Sequence, residues 1–251
     1  MSEVIVFTSG KGGVGKSNLC LNTALQLTAL QYRSCLFDGD LGLANVNILL
    51  GIEQEYTLDD LLFNDKSIDE ILVHTGYGFD IIPGSSGVEQ IANLTAEQLQ
   101  TLIAALTSVA DYDYFLIDTA SGISRSVISF CMAAQQTVIV ITREATSLTD
   151  AYAFIKLGAA AGMSKRVSIV ANQAPNVLEG EKTYKTLLKA CENFLRLTPP
   201  LAGIVRQDPR VKDCIRAQTP ILTRSPNTEA AQDVESIASY VESLLKKAAA
   251  G

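Results

Sequence analysis

The sequence has no tryptophan, a single histidine (His74) and five cysteines (Cys20, Cys35, Cys131, Cys191 and Cys214), none in a C-x-x-C pair. An odd, scattered set of thiols excludes a disulfide framework and fits reduced, packed side chains. It also lacks the paired cysteines of an iron–sulfur carrier or a structural zinc site. The lone histidine, in Val73-His74-Thr75-Gly76, has no sequence partner for acid–base work and reads as a solvated or capping residue. Charge is scarce too: 19% of the 251 residues, with 27 Asp and Glu against 20 Lys and Arg, for a net charge of −7. That balance disfavours broad binding to nucleic acid or anionic membrane. No apolar run approaches the roughly 20 residues of a spanning helix, and Met1-Ser2-Glu3 carries no basic signal-peptide region. The expected location is cytoplasmic, with a peripheral place at the inner face of the cell membrane left open.

Hydrophobic residues make up 47% of the chain, which excludes wholesale disorder. Short apolar runs recur at Val4–Phe7, Ser34–Phe37, Phe79–Ile82, Tyr114–Ile117, Thr137–Ile141, Val167–Val170 and Leu201–Val205. They are continuous rather than alternating, as in parallel strands buried on both faces. Helical periodicity separates them over Ser17–Leu30, Thr95–Val109 (with Thr95 as N-cap) and Ser147–Leu157, where Ser147 and Asp150 have capping-box spacing. Thr198-Pro199-Pro200 reads as a turn before a strand. No linker or repeat interrupts the alternation. The expectation is one α/β domain over residues 1–251, a three-layer sandwich whose mostly parallel sheet is flanked by helices.

Directly after the first strand comes Gly10-Lys11-Gly12-Gly13-Val14-Gly15-Lys16-Ser17, then a helix. This is the G-x-x-x-x-G-K-S phosphate loop in its proper strand–helix setting. Its glycines let backbone N–H groups surround phosphate oxygens, and the helix N-terminus adds a positive dipole end. Lys16 reaches the terminal phosphates and the Ser17 hydroxyl suits Mg²⁺. Nucleotide contacts are therefore expected from Gly12, Gly13, Val14, Gly15, Lys16, Ser17 and Asn18. Lys11, among glycines, is either solvated or meets phosphate. Asp38, Asp40 and Asp118 follow apolar strands, on the side of an open sheet where ligands sit. Asp118 has the Walker B placement for Mg²⁺. If residue 39 is extended, Asp38 and Asp40 face the same way; one would hold a metal-bound water and the other orient the attacking water.

The run Lys11–Ser17, with its extra lysine, resembles the deviant Walker A motif of the MinD/ParA ATPases, a group of P-loop NTPases. Asp38–Gly51 is similar to that family's switch I, and Asp118–Ser124 to its Walker B and switch II. Within the family, Leu41–Asn47, Pro83–Gly87, Gly122–Arg125 and Ala145–Tyr152 resemble the flagellar-number regulators of the FlhG or FleN branch. The resemblance implies a Mg²⁺-dependent ATP hydrolase, slow without a partner, that works as an ATP-gated homodimer. It assigns Lys11 to the opposite subunit's nucleotide, Lys16 to catalysis, Asp40 to the hydrolytic water, and Ser17, Asp38 and Asp118 to the metal. It places Asn45 near the dimer face and adenine near Asn172, Arg206 and Asp208. An Asn amide can donate to and accept from an adenine edge.

The implied role is control of flagellar number or placement, with an FlhF-like GTPase or flagellar switch and regulator proteins as partners. The alternatives are a MinD-like or ParA-like positioning ATPase and a nucleotide-sensing adaptor with incidental hydrolysis. No strong nucleic-acid signal is present: Lys182, Lys185 and Lys189 share one helical face that reads as solvated. At the C-terminus Ala230, Ala231, Val234, Ile237, Ala238, Val241, Leu244 and Leu245 share a face opposite Asp233, Glu235 and Glu242, with only Lys246 and Lys247 basic. That pattern predicts a core-packed helix rather than a basic membrane anchor.

Overall fold

The computed structural model describes all residues except 1, 43, 86–93, 108, 110, 164–165 and 249–251. The predicted apolar runs form β1 (Glu3–Thr8), β2 (Ser34–Gly39), β4 (Asp80–Ile82), β5 (Tyr114–Thr119), β6 (Gln136–Ile141), β7 (Val167–Ala174) and β8 (Leu201–Arg206). One further strand, β3 (Val73–His74), was not expected. Together they make an eight-stranded sheet in the order β3-β4-β2-β5-β1-β6-β7-β8. Every adjacent pair is parallel except β3–β4. β1 lies at the centre between β5 and β6, so the loop leaving its C-terminal end opens at the middle of the sheet.

Along each continuous apolar strand, successive side chains alternate between two separate cores. Val4, Val6, Cys35, Phe37, Phe115 and Ile117 face one; Ile5, Phe7, Leu36, Tyr114 and Leu116 face the other. The helices, in chain order, are α1 (Lys16–Ala29), α2 (Val46–Leu50), α3 (Leu58–Phe63), α4 (Ile68–Ile71), α5 (Ala96–Thr107), α6 (Arg125–Ala133), α7 (Ala145–Ala160), α8 (Val177–Leu195), α9 (Pro209–Arg216), α10 (Ile221–Arg224) and α11 (Glu229–Ala248). Residues of α1, α2, α9, α10 and α11 fill the second core, and residues of α3 to α8 fill the first. The three-layer α/β sandwich read from the sequence is the fold observed.

Several local expectations are refined. Thr95 caps α5, its Oγ1 accepting from the Gln98 amide at 3.2 Å while Gln98 Oε1 takes the Thr95 amide at 2.9 Å. Ser147 is not an N-cap: α7 starts two residues earlier, and Ser147 Oγ accepts the Thr142 amide at 3.0 Å. The Ser147–Asp150 spacing is thus an ordinary helical repeat, and the Ser147 hydroxyl satisfies the backbone at the end of β6 instead. His74 lies in β3, with Nδ1 2.8 Å from Asp80 Oδ1. On α11 the side chains of Ala230, Ala231, Val234, Ile237, Ala238 and Val241 are buried, as the amphipathic pattern predicts. Leu43 and residues 86–87 of the resemblance, and the side chains of residues 245–247, lie outside the described residues. No helix among the described residues is long and apolar enough to cross a membrane.

Candidate functional site

The loop between β1 and α1 closes on Gly15, which sits at φ 87° as the N-cap of α1 with no side-chain cap. A Cβ here would lie 2.4 Å from Asn172 Nδ2 as well as demanding a left-handed backbone. No acidic residue occupies the first turn of α1. The helix therefore presents its positive end and uncapped amides to whatever enters the loop.

Two consecutive side chains at the end of β7, both also lining the cavity over the loop, bond the loop from the β7 side. Asn172 Nδ2 donates to the Val14 carbonyl at 2.7 Å, and Gln173 Nε2 donates to the Gly13 carbonyl at 3.1 Å. Beneath the loop, Lys16 is buried, with Nζ 2.5 Å from Asp118 Oδ1 and donating to Ser17 Oγ at 3.3 Å. Asp118 on β5 pairs in register with Asp38 on β2. Its other oxygen, Oδ2, is buried without a hydrogen-bond partner among the described residues. Burial pushes the Asp118 carboxyl up, against the pull of the Lys16 ammonium. Asp38 is raised to about 7 by burial and then by the Asp118 charge, against the amides of Val46, Asn45 and Asp40.

A cavity of about 580 Å³ opens over this arrangement, the size of a small-molecule site. Its walls include Gly12 to Asn18, with Asp40 and Asn45 on one side and Asn172, Arg206 and Asp208 on the other. Leu49, Val205, Val211 and Ile215 add apolar surface. The loop residues, Asp40 and the three base-side residues read from the sequence thus share one cavity.

Four of the expected residues, Asp38, Lys11, Arg206 and Asp208, are placed differently from their simplest reading. Asp38 and Asp40 divide their orientations: Asp40 lines the cavity, whereas Asp38 Oδ2 turns under α2, accepting the Asn45 and Val46 amides at 2.7 and 2.8 Å. Lys11 lies outside the cavity wall; its ammonium pairs with Glu144 and donates to Thr146 Oγ1 at 3.2 Å within the same chain. The Arg206 guanidinium is engaged by α11, with Nε and Nη2 each 2.8 Å from an Asp233 oxygen and Nη1 2.6 Å from Glu229. Asp208 caps α9 and grips the Arg210 guanidinium. The charged ends at 206 and 208 are therefore committed within the protein.

Sequence reasoning passed over Gln173, Glu144 and Gln218. The last donates Nε2 to the Ile48 carbonyl at 2.8 Å and so ties α2 to the end of α9. The one available signal was the polar pair Asn172-Gln173 closing an otherwise apolar strand.

The family model for ParA, described as NUBPL iron-transfer P-loop NTPase, matches residues 1–242. The iron-transfer wording belongs to that description; all five cysteines here are buried and unpaired. The Antiactivator FleN of Pseudomonas aeruginosa is 36% identical over 242 residues, spanning 96% of this chain and 86% of that one. The Flagellum site-determining protein YlxH of Helicobacter pylori is 31% identical, spanning 99% and 84%. Among solved structures, the septum site-determining protein MinD complexed with Mg-ADP from Pyrococcus horikoshii superposes with a TM-score of 0.81 at 23% identity, covering 98% of each chain. The glycine loop ahead of α1, the buried lysine–aspartate pair beneath it and a family match over nearly the whole length lead to one conclusion: the chain belongs to the ParA/MinD family of P-loop NTPases.

Proposed function

We propose that this protein is a Mg²⁺-dependent ATPase that acts as an ATP-gated dimer switch regulating flagellar number or placement. The observation that carries the nucleotide reading is the loop itself: uncapped α1 amides, Gly13 and Val14 carbonyls tied to the end of β7, and a buried lysine at the floor of a nucleotide-sized cavity. The flagellar role is carried over from the FleN and YlxH relatives.

The residues fit a divalent cation. Asp118 Oδ2, without a partner among the described residues, and the Ser17 hydroxyl offer hard oxygen donors, the kind Mg²⁺ takes, with the Asp38 carboxyl in register beside Asp118. Ser17, Asp38 and Asp118 would hold the ion, which when bound supplies positive charge to the phosphate oxygens. The rest falls to the chain. The loop amides and the α1 N-terminus bind the phosphates, and Lys16 exchanges part of its bond to Asp118 for the terminal phosphates. Asp40, on the cavity wall, orients water. Asn172 faces the base. Lys11 leaves Glu144 for the partner's nucleotide; that ion pair is 41% and 60% exposed, so its loss costs little, roughly 0–1 kcal/mol. Hydrolysis removes the terminal anion that two lysines neutralise, and the dimer loosens. Without a partner protein, such as an FlhF-like GTPase or a flagellar switch component, turnover is slow.

Light scattering in the presence of ATP and Mg²⁺ tests the switch. Asp40→Ala is expected to accumulate as a dimer and Lys11→Ala to stay monomeric; a monomeric Asp40→Ala protein overturns the switch. In the host cell, Lys16→Ala is expected to change the number of flagella per cell. An unchanged count, with ATP-dependent capture on anionic liposomes or DNA, would instead support a positioning ATPase.

A further inference from the structure

In a regular strand, residues 172 and 173 would point to opposite faces of the sheet. Here both side chains reach the same loop, because β7 is irregular: its register against β8 slips between Ala171 and Ala174, and Gln173 sits at φ 56°. A glutamine in the left-handed region is strained relative to ordinary strand backbone. The strain has a visible counterpart, since it delivers Gln173 Nε2 to the Gly13 carbonyl at 3.1 Å.

The consequence follows from peptide planarity. In a trans peptide the C=O and the following N–H point in opposite directions. A carbonyl of Gly13 bonded to Gln173 therefore turns the Val14 N–H away from Gln173, and the Asn172 bond to the Val14 carbonyl does the same for the Gly15 N–H. Neither amide donates to any group among the described residues. Gly13 itself is left-handed, at φ 79°, with nothing within 4 Å of where a Cβ would stand. Its peptide thus has little of its own packing to fix it, and the Gln173 amide is the contact that does.

We infer that Gln173 is a positioning residue for phosphate binding: by holding the Gly13 carbonyl against the end of β7 it fixes the Val14 amide in the opposite direction, ready for the phosphate oxygens before nucleotide arrives. This rests on the nucleotide-binding reading above. It assigns a task to the irregular end of β7, which would otherwise be an unexplained departure from regular strand geometry.

The test is Gln173→Met, which keeps length and neutrality and removes the amide that donates to Gly13. Calorimetry on the full chain would compare ADP, which uses the loop, with adenosine, which does not. ADP affinity is expected to fall about fivefold, the scale of one neutral hydrogen bond, with adenosine affinity and the nucleotide-free melting temperature unchanged. Equal ADP affinity in variant and wild type overturns the inference, as does an equal loss for ADP and adenosine, which would mark a merely structural role. Failure of the wild-type protein to bind ADP would instead overturn the nucleotide reading on which it stands.

Discussion

Asp38 is the residue at which fold and chemistry meet most closely. It is almost fully buried, faces Asp118 across the β2–β5 pair and holds the first amides of α2. With its carboxyl at about 7 in the folded chain and near 3.9 in the unfolded one, the folded state carries a proton that the unfolded state has released between those values. The stability that this carboxyl contributes is therefore fully present below about pH 4 and is lost as pH rises through about 7. Thermal melts of the nucleotide-free protein from pH 5 to 7.5 should show this decline, and Asp38→Asn should flatten it; an identical slope in the variant would show that the proton resides elsewhere. Of the site's residues, Lys16, Ser17, Asp40 and Asp118 were legible in the sequence because each stands at a fixed offset from a strand end. Gln173 and Glu144 were not, since the first depends on a slipped register and the second on a contact 133 positions away in the chain.

Among the elements, α2 depends on its surroundings for its shape. Five residues cannot sustain a helix in water, and this one is held from both ends. The Asp38 carboxylate takes its leading amides, and Gln218 takes the Ile48 carbonyl near its end. One wall of the cavity, Leu49, rides on it. Gln218→Ala is expected to cost under about 1 kcal/mol of global stability, as a single exposed hydrogen bond does. Amide exchange within α2 should nonetheless accelerate several-fold; unchanged exchange would show that the Asp38 end alone secures it. The long helices were legible from periodicity, and the buried face of α11 was read correctly because apolar residues recur at three and four over most of its length. The two-residue β3 was missed because two residues carry no period, and its partner Asp80 is a poor strand former by composition.

For the whole molecule, one sheet with a core on each face means that the loop at the C-terminal end of β1 is anchored to both cores at once through β1 and α1. Binding at that loop should thus stabilise the fold as a unit. At a concentration of ADP with Mg²⁺ one hundred times the dissociation constant, linkage gives about 2.7 kcal/mol, or about 5–10 °C in melting temperature for a chain of this size. Differential scanning fluorimetry would detect it, and a shift confined to one of two separate transitions would disprove the single cooperative unit. The architecture was legible because continuous apolar runs alternating with amphipathic ones admit few other arrangements. The strand order was not, because nothing local in a strand states which neighbour it will take. At one margin of that order stands β3, reversed in direction and only two residues long. An incoming chain finds almost no free backbone there to copy, so strand-upon-strand growth into fibrils has no template on that flank.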